Sequence, residues 1–492
     1  MGAGGAHLAF DLGAESGRAF VGRLEAGNLE LREIHRFSNE PVEYGRGLYW
    51  DAARLWLEIR SALHFVDGTD ITSVGVDAWG VDYALLGERG ELLQNPRHYR
   101  DRRNVAAMQE LLKIVSAREV YRMTGIQFMP INTLNQLFAA KRETPRILAA
   151  AERLVMIPDL FHYWLSGNAA CEYTTATTTQ FVNPTTRSWA SDLLNRLGLP
   201  SQLPAPLVEP GSIVGKLKRG LTRKESLRET LVVTPASHDT ASAVAAISAR
   251  DHTAFLSSGT WSLLGMEVDA PIISEEAFRL NFTNEGGVCR TTRLLKNVMG
   301  LWMLQGCRRS WAARGLELNY TELMDAARRA PAFHRLINPD DVSFLNPDDM
   351  IGAIDKFCAK WDQPAPDGPG SYARTILESL ALKYRLLLGH LESLTGRRIT
   401  DIRVVGGGAR NRLLSQFTAD ATGRRVLSGP VEAAALGNIA VQMAATGAVS
   451  GIPEARAIID RSFPPEIFEP EDTAKWDAAA QRFQQYCEFI YA

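Results

Sequence analysis

A chain of 492 residues is longer than one hydrophobic core ordinarily serves, so two or three domains are expected. Apolar residues make up 46% of it, as in soluble globular proteins, and 54 Lys and Arg against 56 Asp and Glu leave no electrostatic footprint for nucleic acid. No apolar stretch is long enough for a membrane span. The start MGAGGAHLAF lacks the pattern of a signal peptide, and Ala6 stands where an acylation site needs Ser or Thr. Five scattered cysteines with no CxxC read as the reduced thiols of a cytoplasmic protein.

The first element is a hairpin. Residues 7–10 and 18–24 are strand-like runs joined through Asp11, a glycine and the polar tip AESG, and residues 29–37 continue as strand. Backbone N–H groups in such a tip (Ala14, Glu15, Ser16, Gly17) can converge on phosphate oxygens. Asp11 is suited to hold Mg²⁺ directly or through water, or is simply solvated beside a glycine turn. Arg18 contacts phosphate or closes a salt bridge across the hairpin. No GxxxxGK[ST] loop occurs anywhere, so a nucleotide must be held in another way.

Asp51 opens an amphipathic helix with Leu55, Trp56, Ile59 and Leu63 on one face. SVGVDAW (residues 73–79) has the pattern of a buried strand and runs into Gly80, Val81 and Asp82, the kind of strand end that supplies a ligand site in open α/β sheets. Trp79 there is a core side chain or a sugar-stacking one. A hairpin over residues 82–93 and then helices to about residue 165 are expected, with Asp159 capping a helix start. The threonine-rich EYTTATTTQF follows, then LPAPLVEPGSIVGKL, a Pro/Gly-rich surface passage.

In TPASHDTASAVAAI (residues 234–247), Thr240, Ala241, Ala243, Val244 and Ile247 recur at helical spacing, so a helix starts near Asp239. A carboxylate at that place is either an N-cap or a functional group. The second half then restarts with the same element: residues 253–256 and 261–266 as strands, with the tight polar turn SSGT between them. KNVMGLWMLQGC (residues 296–307) is expected as one helix, which points Asn297 and Gln305 in nearby directions. Residues 402–405 form a strand ending in three glycines, Gly406 to Gly408, which permit close approach to a flat ligand or merely make a tight turn.

In this order the elements resemble the FGGY family of carbohydrate kinases, within the actin/hexokinase/Hsp70-like ATPases, over residues 6–470. DLGAESGR matches the first phosphate motif, SSGTW the second and VGGGARN the adenosine motif. SHDTASAV, DAWGVD and LKNVMGLWMLQ are narrower matches. Some members carry a closely spaced cysteine pair after the adenosine motif; FTADATG has none. The resemblance implies two RNase H-like α/β domains facing across a cleft, residues 1–250 and 251–492. It implies an ATP-dependent transfer to the 1-hydroxyl of L-rhamnulose in L-rhamnose catabolism. Kinases of L-fuculose or D-xylulose, and a non-catalytic sugar-sensing protein of this fold, are the alternatives. It places Asn297, Gln305 and Gly407 on the nucleotide side.

The chemistry accounts for the residue types independently. In-line phosphoryl transfer is mostly positioning and charge neutralisation, and a carboxylate must accept the hydroxyl proton. Asp239 is the candidate base; His238 bonds the sugar or positions Asp239; Gly80 lets the sugar approach backbone. Asp11 is the candidate Mg²⁺ ligand, and residues 14–18 with Thr260 cradle phosphate. The expected partners are a ketose and ATP, with neither nucleic acid nor membrane, for a monomer or homodimer whose domains close on the sugar. An Hsp70-like or actin-like switch has no use for a sugar-side base beside a histidine.

Overall fold

The structure, a computed structural model, describes residues 5–66, 70–222 and 224–487. The reading of the N-terminus against a leader or an acylation site falls largely on residues 1–4, outside the described residues. The chain divides into two compact units. One comprises Met1–Ser248, Glu267–Leu294 and Ala433–Pro464; the other comprises Ala249–Met266, Leu295–Glu432 and Pro465–Ala492.

The first unit begins with three successive antiparallel strands, β1 (Ala6–Leu12), β2 (Ser16–Glu25) and β3 (Asn28–Ser38), in which Asp11 stands opposite Arg18. Helix α1 (Ala52–Phe65) follows, capped by Asp51, whose carboxylate accepts the Arg54 N–H at 3.1 Å; Leu55, Ile59 and Leu63 face the core. Strand β4 (Ile71–Ala78) runs parallel to β1 and brings Asp77 opposite Asp11. Its near-continuous apolar sequence suits a strand covered on both faces. Leu8, Phe10, Val74, Val76, Ile59 and Trp50 form the core, all with 0% exposure.

Two expectations fail between residues 82 and 165. Strand β5 (Tyr83–Leu86) turns back in a short hairpin, with an antiparallel bridge from Leu86 to Leu92 and the Leu93 N–H on the Leu85 carbonyl at 3.0 Å, and it also pairs antiparallel with β6 (Arg153–Met156), which lies in the stretch expected as helices. That strand interrupts the helices and was not expected: four residues, RLVM, are too few for periodicity to separate strand from helix. Helix α2 (Ile157–Ser166) starts directly after it, with Met156 as N-cap. Asp159 is therefore the third helical residue rather than the cap. Its carboxylate receives the backbone N–H groups of Met156 and Glu172.

The Pro/Gly-rich passage contains an edge strand, β7 (Ser212–Lys216), antiparallel to β8 (Leu231–Thr234), which in turn runs parallel to β4. The sheet order is β7-β8-β4-β1-β2-β3. Helix α3 (Asp239–Ala245) follows β8 as expected, its small residues buried. They are small for a reason: a Cβ at Gly437, on the helix Ala433–Thr446, would lie 1.7 Å from the Ser242 carbonyl oxygen. Backbone meets backbone there.

The second unit repeats the plan. Strands β9 (Thr253–Ser258) and β10 (Trp261–Val268) form an antiparallel hairpin, and β11 (Thr292–Met299) enters the unit through its second half. Helix α4 (Trp302–Ala313) follows, and then the long α5 (Gly368–Thr395), closed by Gly396 at φ +66°. Strand β12 (Asp401–Val405) is parallel to β9. After it come α6 (Arg412–Thr422), β13 (Arg425–Ser428) and β14 (Glu466–Phe468); with an edge strand over Thr283–Gly286 beside β11, the seven-stranded sheet runs Thr283–Gly286, β11, β10, β9, β12, β13, β14. Read from β14 to β11, six of these strands follow the order of the first sheet, with β9 in the place of β1.

The helix expected over residues 296–307 is instead a strand, a turn and a helix. Lys296 to Met299 belong to β11, and α4 begins at Trp302. Gly300 makes the break: its N–H donates to the Thr260 carbonyl at 3.1 Å, and a Cβ there would lie 2.7 Å from the Trp261 carbonyl carbon. Among the described residues no helix is long and apolar enough to cross a membrane.

Candidate active site

Three parallel strands of the first unit end side by side. β1 delivers Asp11, β4 delivers Asp77 and then Gly80, and the segment after β8 delivers His238 and Asp239. Ala78 donates its N–H to the Ser237 carbonyl at 2.9 Å and bridges to His238, which fixes the last two against each other. The carboxyl ends of parallel strands are where open α/β sheets place ligands.

Asp239 is the first residue of α3, not its cap. His238 occupies the N-cap position and its side chain makes no cap bond. The Asp239 carboxylate instead accepts from the Thr240 N–H at 2.5 Å, and 31% of the side chain stays accessible. Desolvation raises its pKa above the ordinary aspartate value; His238 opposes this and the negative charge of Asp11 adds to it. A carboxyl raised in this way is better poised to accept a proton near neutrality than an unperturbed one.

His238 sits at the centre of the unit's polar contacts. Its Nε2 lies 3.5 Å from Asp239 Oδ1, and its backbone N–H donates to Thr174 Oγ1 at 3.2 Å. A Cβ added at Gly80 would stand 3.2 Å from that Nε2 and 3.0 Å from Thr178. Gly80 thus faces His238 and Thr178 at closer than ordinary Cβ contact, a packing that a side chain would disturb.

The hairpin tip lies next to Asp11. Gly13 N–H donates to the Ser16 carbonyl at 2.9 Å. Asn39 clamps the turn from outside, its N–H on the Glu15 carbonyl and its Nδ2 on the Gly13 carbonyl. Gly17 has a packing reason, since a Cβ there would come 2.2 Å from the Phe37 ring. Ala14, Glu15 and Ser16 are the more open positions. Arg18 forms the cross-hairpin ion pair with Asp11 at 2.6 Å, engaging one carboxylate oxygen.

Asp77, which sequence reasoning did not single out, is buried beside Asp11. Burial, and then the charge of Asp11, push its carboxyl well above the ordinary range, while Asn438 Nδ2 donates to it at 2.6 Å. Its other oxygen has no hydrogen-bond partner among the described residues. Asn438 continues into a buried chain through Gln442 and Ser73 to His7. Among the described residues no three or more His, Cys, Asp or Glu are grouped to hold a metal ion. A cation such as Mg²⁺, which takes one or two carboxylates and completes its shell with phosphate and water, needs no such group.

Trp79 belongs to the core. It is 5% exposed, 4.1 Å from the Trp50 ring, and donates its indole N–H to Asp82 at 3.0 Å. Asp82 gathers four N–H donors, from Trp50, Trp79, Tyr99 and Gln136, yet burial pushes its carboxyl up to about 7.

In the second unit the turn after β9 packs on the start of α4: the Gly259 carbonyl accepts from Leu301 N–H and the Thr260 carbonyl from Trp302 N–H. The glycines after β12 have distinct duties. A Cβ at Gly408 would lie 2.0 Å from Ser258 Oγ, and Gly406 has φ +82° with its Cβ position 3.1 Å from the Ser258 carbonyl oxygen. Gly407 meets nothing within 4 Å and is exposed. Thr260 and Gly407 thus flank the end of β9 on neighbouring segments. Gln305 lies in the first turns of α4, whereas Asn297 is on strand β11 and does not share a helix with it.

Sequence reasoning also missed Glu172, Glu285 and Arg293. Glu172, at 0% exposure, accepts the Ser237 N–H at 3.0 Å, and Arg293 and Glu285 reach His238. A usable signal existed: charged residues in the otherwise apolar or small stretches NEGGV and TTRLL.

Models of the FGGY family of carbohydrate kinases match the chain, the N-terminal domain over residues 6–246 and the C-terminal domain over residues 254–446. The rhamnulokinase of Bacteroides thetaiotaomicron is 44% identical over 480 residues, 97% of this chain and 98% of that protein. The rhamnulokinase of Enterococcus faecalis is 44% identical over 469 residues, 94% of each. Among solved structures, gluconate kinase from Lactobacillus acidophilus superposes with a TM-score of 0.79 at 16% identity, covering 98% of this chain and 96% of that one. Plasmodium falciparum glycerol kinase with ADP gives 0.77 at 14%, covering 98% of each. These likenesses carry the two-domain α/β ATPase fold.

Proposed function

This chain belongs to the FGGY family of carbohydrate kinases, and on that premise we propose that it transfers the γ-phosphoryl of ATP to the 1-hydroxyl of L-rhamnulose. The observation that carries the mechanism is Asp239: a desolvated carboxyl of raised pKa, beside His238 and Gly80 at the end of three parallel strands.

Asp239 accepts the proton of the sugar hydroxyl as the hydroxyl oxygen bonds to the γ-phosphorus and the bond from that phosphorus to the ADP oxygen breaks. His238 hydrogen-bonds the ketose, and Gly80, packed against His238, offers its backbone to the sugar. Amides of Ala14, Glu15, Ser16, Gly17 and Arg18 contact phosphate on the first unit, and Thr260 contacts phosphate on the second. Asn297, Gln305 and Gly407 belong to the nucleotide side, where Gly407, open and without Cβ, admits a flat ring. Asp11 would hold Mg²⁺ directly or through water, and the ion would supply charge neutralisation for the transferred phosphoryl group. On this reading the domain boundary falls near residue 250, which the gap between the family matches, residues 246 to 254, supports, and the setting proposed is the cytoplasm.

Initial rates with Mg-ATP and each of L-rhamnulose, L-fuculose and D-xylulose test the substrate. The expected kcat/KM order puts L-rhamnulose first; equal rates on either alternative ketose contradict it.

A further inference from the structure

Arg293 is buried at 0% exposure, and three groups share its guanidinium. Nε donates to the Gly286 carbonyl at 2.8 Å, Nη2 donates to Glu285 Oε2 at 3.1 Å, and the same Nη2 lies 3.2 Å from His238 Nδ1. Nη1 is buried with no hydrogen-bond partner among the described residues. Native structures keep few such donors, and each calls for an explanation.

A guanidinium has donors only, so the imidazole nitrogen that faces it offers a lone pair. That leaves the ring proton of His238 on Nε2, the nitrogen 3.5 Å from Asp239 Oδ1 and 3.2 Å from the Cβ position of Gly80. Glu285 Oε2, an acceptor, stands 3.4 Å from Nδ1 and favours the opposite tautomer. Two neighbours of opposite demand meet at one nitrogen, and Arg293 is the nearer of them.

The geometry points to Arg293 as the positioning residue that fixes the His238 tautomer, so that Nε2–H donates a hydrogen bond to a hydroxyl oxygen of the bound ketose. This rests on the reading of His238 as a sugar contact. Arg293 acts through His238: the hydrogen bond on one ring nitrogen decides what the other can do. A site with a fixed donor discriminates against a ketose with no oxygen at that place, because the donor would be left unpaired.

The test combines spectroscopy with kinetics. Two-bond ¹H–¹⁵N spectra of histidine-labelled protein separate the two neutral tautomers. The chain has nine histidines, and loss of one signal set in His238→Asn assigns the relevant one. In Arg293→Met the donor is gone and Glu285 remains. The His238 proton should then move to Nδ1, the KM for the ketose should rise about tenfold, as for one lost hydrogen bond, and the KM for ATP should hold.

Replacing Glu285 as well, in Arg293→Met/Glu285→Leu, removes the competing acceptor. It also avoids a lone buried charge, which is tolerated far less well than an apolar substitution of the whole pair. The Nε2 tautomer and the ketose KM should both return toward wild type. A merely structural role predicts no such rescue, so a double variant no better than the single one overturns the proposal. So does an Nε2–H signal that persists in Arg293→Met. An inverted tautomer with an unchanged ketose KM overturns the sugar-contact reading itself.

Discussion

The hairpins β1–β2 and β9–β10 are the same element in the same place in sheets that share an order of six strands, yet they end in different chemistry. The first presents a carboxylate, Asp11, held by Arg18 and surrounded by the buried Asp77 and the raised Asp239. The second presents a hydroxyl, Ser258, against glycine backbone at Gly406 and Gly408. A shared topology fixes where a strand end lies; the side chains there decide whether it concentrates negative charge or leaves room. The first arrangement suits proton and cation handling, and the second suits close backbone contact with a nucleotide.

The largest break in that comparison is Asp239→Asn, which keeps size and removes the proton acceptor of the acidic unit alone. Turnover should fall about 10²–10⁴-fold, the usual contribution of a general base, while ATP binding by calorimetry stays near wild type.

The glycines of the second unit sharpen the contrast from the other side. Gly408→Ala places a methyl carbon against Ser258 and should lower unfolding stability by about 1–3 kcal/mol, the usual cost of overpacking. Gly407→Ala meets open space, so its stability should stay within about 0.5 kcal/mol of wild type, while the KM for ATP rises and that for the ketose does not. Denaturant melts and two-substrate kinetics separate the pair.

Asp82→Asn probes the frame behind Gly80. Four N–H donors converge on Asp82, and an asparagine has one acceptor oxygen for them, at a cost of about 1–3 kcal/mol at acid pH. The folded-state pKa of Asp82 is raised from 3.8 to about 7, so its stabilisation is present at low pH and lost as pH rises toward 7. The stability gap between wild type and Asp82→Asn should therefore narrow from pH 4 to pH 7; a widening gap contradicts the raised value.

Both hairpins, the helix at Asp239 and the glycine turn after β12 were legible because each combines an apolar run with turn residues at fixed offsets. KNVMGLWMLQGC was not, because its apolar run continues across a strand end and a helix start and only Gly300 marks the change. EYTTATTTQF is polar by composition but buried throughout: the hydroxyls of Thr177, Thr178 and Thr179 donate to the carbonyls three residues back, and that of Thr174 donates to Glu172. Glu172, Glu285 and Arg293 lie 66, 47 and 55 residues from His238, respectively, and no local pattern ties them to it. Only the fold brings those charges together.

The pH dependence of kcat/KM for the ketose tests the central claim most directly, because Asp239 must be ionised to accept the proton. The account predicts an acid limb centred above the ordinary aspartate value of 3.8, raised chiefly by desolvation of Asp239, and absent from the residual activity of Asp239→Asn. An acid limb that survives unchanged in Asp239→Asn would assign the proton transfer to another group.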